Sequence, residues 1–223
     1  MQYYLIVRIS ELASRSGVPL SAVKFYQRQG LIPAGVLTAP NQADYNDEHV
    51  RRVRLIRALL ECGGLSIASA KKVIAALDDK EIPLGVAFEV GQRVVSTPRT
   101  TESPPSERSR QRIVEFIDSQ GWVVDQTNPG IDMAARALDA YTTIHSDDPV
   151  DYLETYARAA EIGAKADMRE LARLTNRDDM IELLVVGTIL GDKLFAAFRR
   201  LVHEDQTYVL VPTDVDRHYA RVS

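Results

Sequence analysis

The chain has 223 residues, 45% hydrophobic and 26% charged, ordinary proportions for a globular protein with one large or two modest cores. No apolar run reaches bilayer-crossing length, the opening MQYYLIV is too short and lacks the basic start of a signal peptide, and the lone Cys62 excludes an internal disulfide framework, so the expected compartment is the cytoplasm, with no membrane partner. The net charge of −4 is uneven: residues 1–80 carry 11 Lys/Arg against 7 Asp/Glu, and residues 81–223 carry 16 against 24, which places a basic front suited to a polyanion ahead of an acidic remainder.

Val7–Ile9 reads as an extended lead-in, and Ser10 as the N-cap of a helix to about Arg15 with Ile9 and Leu12 inward. Gly17 makes a turn, Pro19 opens a second helix, and Gly30 closes it. Within that helix Ser21, Lys24 and Arg28 lie three and four apart and share one polar, cationic face, while Leu20, Val23, Phe25 and Tyr26 are its apolar members. Two short helices around a tight turn form a helix-turn-helix. A face of this kind suits a DNA major groove, where Lys and Arg reach phosphates or guanine edges and Ser reaches either.

Leu31-Ile32-Pro33 leaves the helix in an extended path. Residues 34–44, AGVLTAPNQAD, are rich in turn formers and read as a β-hairpin or loop, a wing with Val36-Leu37 and Ala43–Tyr45 as its strands. Thr38, Asn41 and Gln42 fall at or near its tip, within reach of phosphates or the minor groove; a plain surface loop is the alternative. Asn46 or Asp47 caps a third helix with Val50, Val53, Ile56 and Leu60 inward. Arg51, Arg52, Arg54 and Arg57 decorate its other side, four arginines in seven residues and more than solubility needs, although a solvated face is the competing account. Cys62-Gly63-Gly64 ends this helix, with Cys62 read as small core filler, and Ser66 caps a fourth carrying Ile67, Ala70, Val73, Ile74 and Leu77.

This ordered set resembles the DNA-binding domain of the MerR family of transcription regulators. The resemblance runs from Arg8 to Leu77 through RISELA (8–13), SGV (16–18), VKFYQRQGLI (23–32), Tyr45, DEHVRRVRLIRAL (47–59) and GGLSIASAKKVI (63–74). With APNQADY closing the wing, it is similar to a subgroup common in actinobacterial genomes. The resemblance implies DNA contacts from Lys24 and Tyr26, the Tyr26 hydroxyl going to a phosphate while its ring packs inside. It implies that Tyr45 anchors the end of the wing and that Arg51 or Arg54 neutralises DNA backbone. It also implies RNA polymerase as a partner. Ser21-Ala22 and Lys24-Phe25 stand where the family carries Arg-Thr ahead of an Ile-Arg-Tyr-Tyr run, and the wing lacks the usual arginines. Fewer cations mean a smaller counterion-release contribution to binding. Family members continue into a long helix that pairs as an antiparallel coiled coil in the dimer. Here LDDKEIPLG intervenes, and Pro83 and Gly85 limit the next helix to about three turns over 84–95, so a dimer must use other surface.

Residues 96–109, STPRTTESPPSERS, have the composition of a linker. Helix follows helix from Arg110 to His203: one marked by Ile113, Val114, Phe116 and Ile117, an extended or turn segment at Trp122–Val124, a break at NPGID, a helix over Met133–His145, and one opened by Pro149 with Tyr152, Leu153, Tyr156, Ala160 and Ile162 inward. Asp178 or Asp179 starts a long helix whose interior, IELLVVGTILGDKLFAAF, is nearly all apolar, which calls for burial in a bundle core or against a second subunit. Gly187 and Gly191 would allow close helix approach, and Tyr208–Val211 reads as a strand or loose tail. The expected fold class is mainly α. It comprises a winged helix-turn-helix domain over 1–80, a short helix and Pro/Ser-rich linker over 81–109, and an all-α helical bundle over 110–223 for dimerisation and effector binding.

No catalytic constellation is legible. His49, His145, His203 and His218 lack metal-ligand spacing, one cysteine argues against thiolate metal sensing, and neither a phosphate-cradling loop nor a nucleophile elbow is present. The chain is therefore expected to be no enzyme and to need no cofactor. Tyr141, Tyr152, Tyr156 and Trp122 are candidates to line a small-molecule pocket, with ordinary core as the competing account. The expected function is a homodimeric, sequence-specific regulator on double-stranded promoter DNA, with an unidentified small-molecule effector at the helical rear. The alternative is a small-molecule-binding or enzymatic helical module with a vestigial DNA-binding domain.

Overall fold

The computed structural model describes residues 7–39, 42–96, 103–145 and 150–210. Helices α1 (Ile9–Ser16) and α2 (Leu20–Arg28) precede a hairpin of β1 (Val36–Ala39) and β2 (Gln42–Asp44). Helix α3 (Asp47–Arg57) runs into a π turn (Ala58–Cys62), followed by α4 (Ile67–Asp78) and α5 (Leu84–Ser96). The rear comprises α6 (Glu107–Ser119), α7 (Pro129–Ile144), α8 (Val150–Leu171), α9 (Arg177–Glu182), a second π turn (Leu183–Gly187) and α10 (Thr188–Leu210). The fold is mainly helical with one small antiparallel hairpin, as expected from the sequence.

Local signals set most boundaries. The Asn46 side chain accepts from the His49 N–H while His49 reaches back to the Asn46 N–H, a reciprocal cap on α3. Ser66 caps α4 and Ser106 caps α6 in the same one-way manner. Gly17, at φ 69°, ends α1 in a left-handed turn that sends its N–H back to Ala13 and Ser14. The hairpin pairs Val36 with Asp44, Leu37 with Ala43 and Ala39 with Gln42. Beyond it Tyr45 bridges Val7 through two backbone hydrogen bonds of 2.8 and 2.9 Å. That bridge holds residue 7 extended, so α1 starts at Ile9 with Arg8 at the cap position and no side-chain cap; Ser10 lies inside the helix rather than capping it.

The main core joins front and rear. Leu12, Val23, Leu31, Val53, Ile56, Leu59 and Val73 are buried together with Ile82, Ala87, Ile181, Val185 and Ile189. The segment α9–α10 therefore seats its first half under the helix-turn-helix. The close approaches are made by Gly63 and Gly91 and not by the Gly187/Gly191 pair: a Cβ on Gly63 would lie 2.6 Å from the Leu59 carbonyl oxygen and 2.8 Å from Ile189, and one on Gly91 would lie 3.2 Å from the Val185 Cα. Gly91 faces Val185 across the α5–π-turn contact, whereas Gly191 opens on space. A second, smaller cluster of Ile113, Ile131, Ala135 and Leu138 holds α6 on α7.

Several readings of the rear change. NPGID does not break a helix but starts one: the Asn128 side chain caps α7 and Pro129 takes its first turn, where a missing N–H is harmless. Tyr152 and Ile162 are exposed rather than inward, because α8 is covered along only part of its length. Tyr208–Leu210 continue α10 instead of forming a strand; a lone strand would leave backbone groups unpaired that the helix satisfies. Residue 211 lies outside the described residues. Cys62 is exposed, and the buried position beside it belongs to Gly63.

Candidate nucleic-acid interface

The α1–turn–α2 unit is fixed from below. Val23 and Tyr26 are buried, which turns Ser21, Lys24 and Arg28 outward together. Lys24 and Ser21 have no ion-pair or hydrogen-bond partner among the described residues. The Arg28 guanidinium stands 6.0 Å from the centroid of the Phe25 ring, a cation–π arrangement that keeps the cation at the surface. Leu20 and Phe25 are over a third exposed, so the outer side of α2 is mixed apolar and cationic. The Tyr26 pKa is raised, first by burial and then by the neighbouring Glu61 carboxylate, so the phenol stays protonated and able to donate.

The arginines of α3 have partners inside the chain. Arg54 donates to the Arg15 carbonyl at 2.6 Å and Arg57 to the Gly17 carbonyl at 2.9 Å, so both hold the C-terminal end of α1 and the turn after it. Arg57 also pairs with Glu61, and Arg52 pairs with Asp78 of α4. Arg51 reaches Glu182 at 2.6 Å, with Asp179 at 3.9 Å. Arg15 adds a bond of 2.5 Å to Asp47. The sequence showed Arg51, Arg52, Arg54 and Arg57 as more arginines than solubility needs, but not these contacts. The available signal was the orphan carbonyl end of α1, which needs donors.

The wing is tied back at its base. Arg8 pairs with Asp44 at 3.0 Å and donates to the Thr38 hydroxyl at 3.1 Å. Tyr45 is buried, its ring 5.2 Å from His49 in an edge contact, and its hydroxyl accepts from the Gln27 side chain of α2 at 2.7 Å. Tyr45 thus locks the hairpin end to α2, and Gly35 has room only for hydrogen, since a Cβ there would meet the Tyr45 ring at 2.9 Å. Gln42 is exposed; Asn41 lies outside the described residues. Val36 and Leu37 of β1 are about three-quarters exposed, at 73% and 75%, an apolar edge the sequence reading did not single out as a surface.

In the rear half, Tyr141 stacks on Tyr152 with ring centroids 5.6 Å apart, the Tyr152 hydroxyl donates to that of Tyr156 at 2.9 Å, and the Arg199 guanidinium lies 5.2 Å from the Tyr156 ring centroid. Trp122 stands elsewhere, bonded to Glu161 at 3.1 Å and edge-on to Phe116. The four aromatics therefore do not line one pocket.

Residues 7–77 match the family model described as MerR HTH family regulatory protein. Over 62 residues, 28% of this chain and 44% of the relative, the sequence is 34% identical to an HTH-type transcriptional regulator ZntR homolog of Haemophilus influenzae. Over 74 residues, 33% of this chain and 55% of the relative, it is 31% identical to a mercuric resistance operon regulatory protein of Bacillus cereus. The match thus spans about half the length of these relatives. A crystal structure of a proposed transcriptional regulator from Streptomyces coelicolor A3(2) has the same fold over 94% of this chain and 100% of its own, with a TM-score of 0.65 at 22% identity.

Proposed function

From the premise that residues 7–77 are a MerR-family helix-turn-helix domain, we propose that the chain is a sequence-specific DNA-binding transcription regulator that acts as a homodimer on double-stranded promoter DNA. The observation that carries this reading is the outward Ser21–Lys24–Arg28 face of α2, with Arg54 and Arg57 holding the end of α1 and the turn that leads into that helix. Two copies place two such faces in successive major grooves about 34 Å apart, with Thr38, Asn41 and Gln42 of the wings beside flanking backbone. Lys24 reads base edges or phosphate, Ser21 and Arg28 support it, and the protonated Tyr26 hydroxyl donates to a phosphate. Tyr45 acts by holding the wing against α2. Arg51 and Arg54 contribute to backbone neutralisation only where DNA draws them from their present partners. Residues 110–223 serve dimerisation and effector binding, the family resemblance adds RNA polymerase as a partner, and the working place is the cytoplasm.

Selection of bound sequences from random duplex DNA tests this directly: it should return a two-fold symmetric site, and Lys24→Glu should abolish its selective retardation. Recovery of no preferred sequence at low ionic strength overturns the reading. The stacked Tyr141–Tyr152–Tyr156 group under Arg199 favours a second reading, a small-molecule module whose activity Lys24→Glu would leave intact.

A further inference from the structure

Helix α10 changes character along its length. Its first turns, with Ile181 and Val185 just before it and Ile189 within it, are buried against the front half of the chain. Past Gly191 the same helix leaves that core. Leu194, Phe195, Phe198, Leu201 and Val202 are 59%, 46%, 62%, 61% and 56% exposed. Their spacing of i, i+1, i+4, i+7 and i+8 puts all five on one side, in a band roughly 120° wide. Single exposed apolar residues are ordinary; a contiguous band with two phenylalanines marks an interaction surface.

We propose that this band is the seam of a homodimer and that its occupant is the same band of a second copy. The inference rests on the dimeric-regulator reading above and names the surface that serves it. A two-fold axis across the band sets identical residues against one another, so one stripe supplies both halves of the interface. At the exposures given, each of the five side chains offers on the order of 100 Å² when fully covered. The pair therefore buries on the order of 1,000 Å², the lower bound of a specific, stable interface. Arg199, which borders the band, is already held over the Tyr156 ring of its own chain, so it does not stand as a free charge against its symmetry mate.

Helix α5, which follows α4 directly, is a poorer seam. Its Ala87 and Gly91 are taken up by the chain's own core, and its 13 residues extend only about 20 Å, against about 28 Å for the part of α10 past Gly191.

Sedimentation equilibrium of the full chain, paired with DNA retardation, tests the seam. The expected result is a wild-type dimer of twice 24.8 kDa whose dissociation constant rises on the order of 100-fold in Phe198→Glu/Leu201→Glu with helical circular dichroism unchanged, because two charges enter the apolar contact. A wild-type chain that stays monomeric at every concentration overturns the proposal. So does a double variant that dimerises like wild type. Should that variant lose its helicity, Phe198→Cys in a Cys62→Ser background decides: an interchain disulfide under mild oxidant supports the seam, and its failure to form sinks it. A dimer of the expected behaviour that selects no DNA refutes the regulator reading and leaves the seam standing. A monomer that selects DNA does the reverse.

Discussion

Lys24 and the arginines behind it divide two tasks that look alike in the sequence. Lys24 faces outward and has no partner among the described residues, so Lys24→Ala should weaken DNA binding and reduce the salt slope by about one, with the melting temperature unchanged. Arg54→Ala and Arg57→Ala should instead lower stability and leave the salt slope unchanged, because they strip donors from the Arg15 and Gly17 carbonyls. Denaturation midpoints and a salt titration of retardation separate the two classes. Charge spacing singled out all these cations in the basic front of the chain. It could not tell free from engaged, because the partner of Arg51 lies 131 residues away, and no local rule reaches so far. His49 adds a pH signature. Burial lowers its pKa below the usual 6.5, and its neutral ring accepts from the Asn46 N–H. As pH drops, the unfolded chain takes up this proton first. The stability due to His49 is thus complete above about pH 6.5 and is lost as pH falls through the lower, folded-state value. Urea midpoints on either side of that pH should show the decline, and His49→Gln should flatten it.

At the scale of elements, what was legible was what is local: the Gly17 turn, the Asn46 and Ser66 caps, the hairpin and the short α5 all follow from residues within one turn of each boundary. NPGID shows the limit. Asn, Pro and Gly together serve equally to stop one helix or to start the next, and only the packing of Ile131 and Ala135 on α6 settles which. The wing shows another. Its lack of arginines was plain, but its exposed Val36 and Leu37 need the strand pairing to be seen as one edge. On the proposed reading the hairpin lies beside duplex, where an apolar edge would add a contact that salt does not screen. Leu37→Ser should therefore lower affinity several-fold while leaving the salt slope unchanged, as read from retardation at two ionic strengths. The junction of α3 and α4 is tighter. Gly63→Ala puts a methyl against the Leu59 carbonyl and Ile189, and should cost about 1–3 kcal/mol in chemical denaturation.

For the whole molecule, the basic front and acidic rear meet in specific contacts. Arg51 pairs with Glu182, Lys80 with Asp178, and the Arg177 side chain donates to the Ile82 carbonyl. Beneath them Ile181, Val185 and Ile189 complete the core of the helix-turn-helix. A fragment ending at residue 80 should therefore melt well below the full chain, since each large apolar side chain it loses contributes roughly 1.5–3 kcal/mol. Equal melting temperatures would show that the front needs none of the rear. The charge asymmetry pointed the basic front at a polyanion rather than at the chain's own rear, and the apolar run of the last helix gave no sign that only its first part is spoken for.

Cys62 sits in the open at the end of the π turn that follows α3, one residue from the Gly63–Ile189 contact. A maleimide dye on the native chain would thus attach at a single position. Without any engineering, its fluorescence would report whether the last helices stay seated when duplex is added.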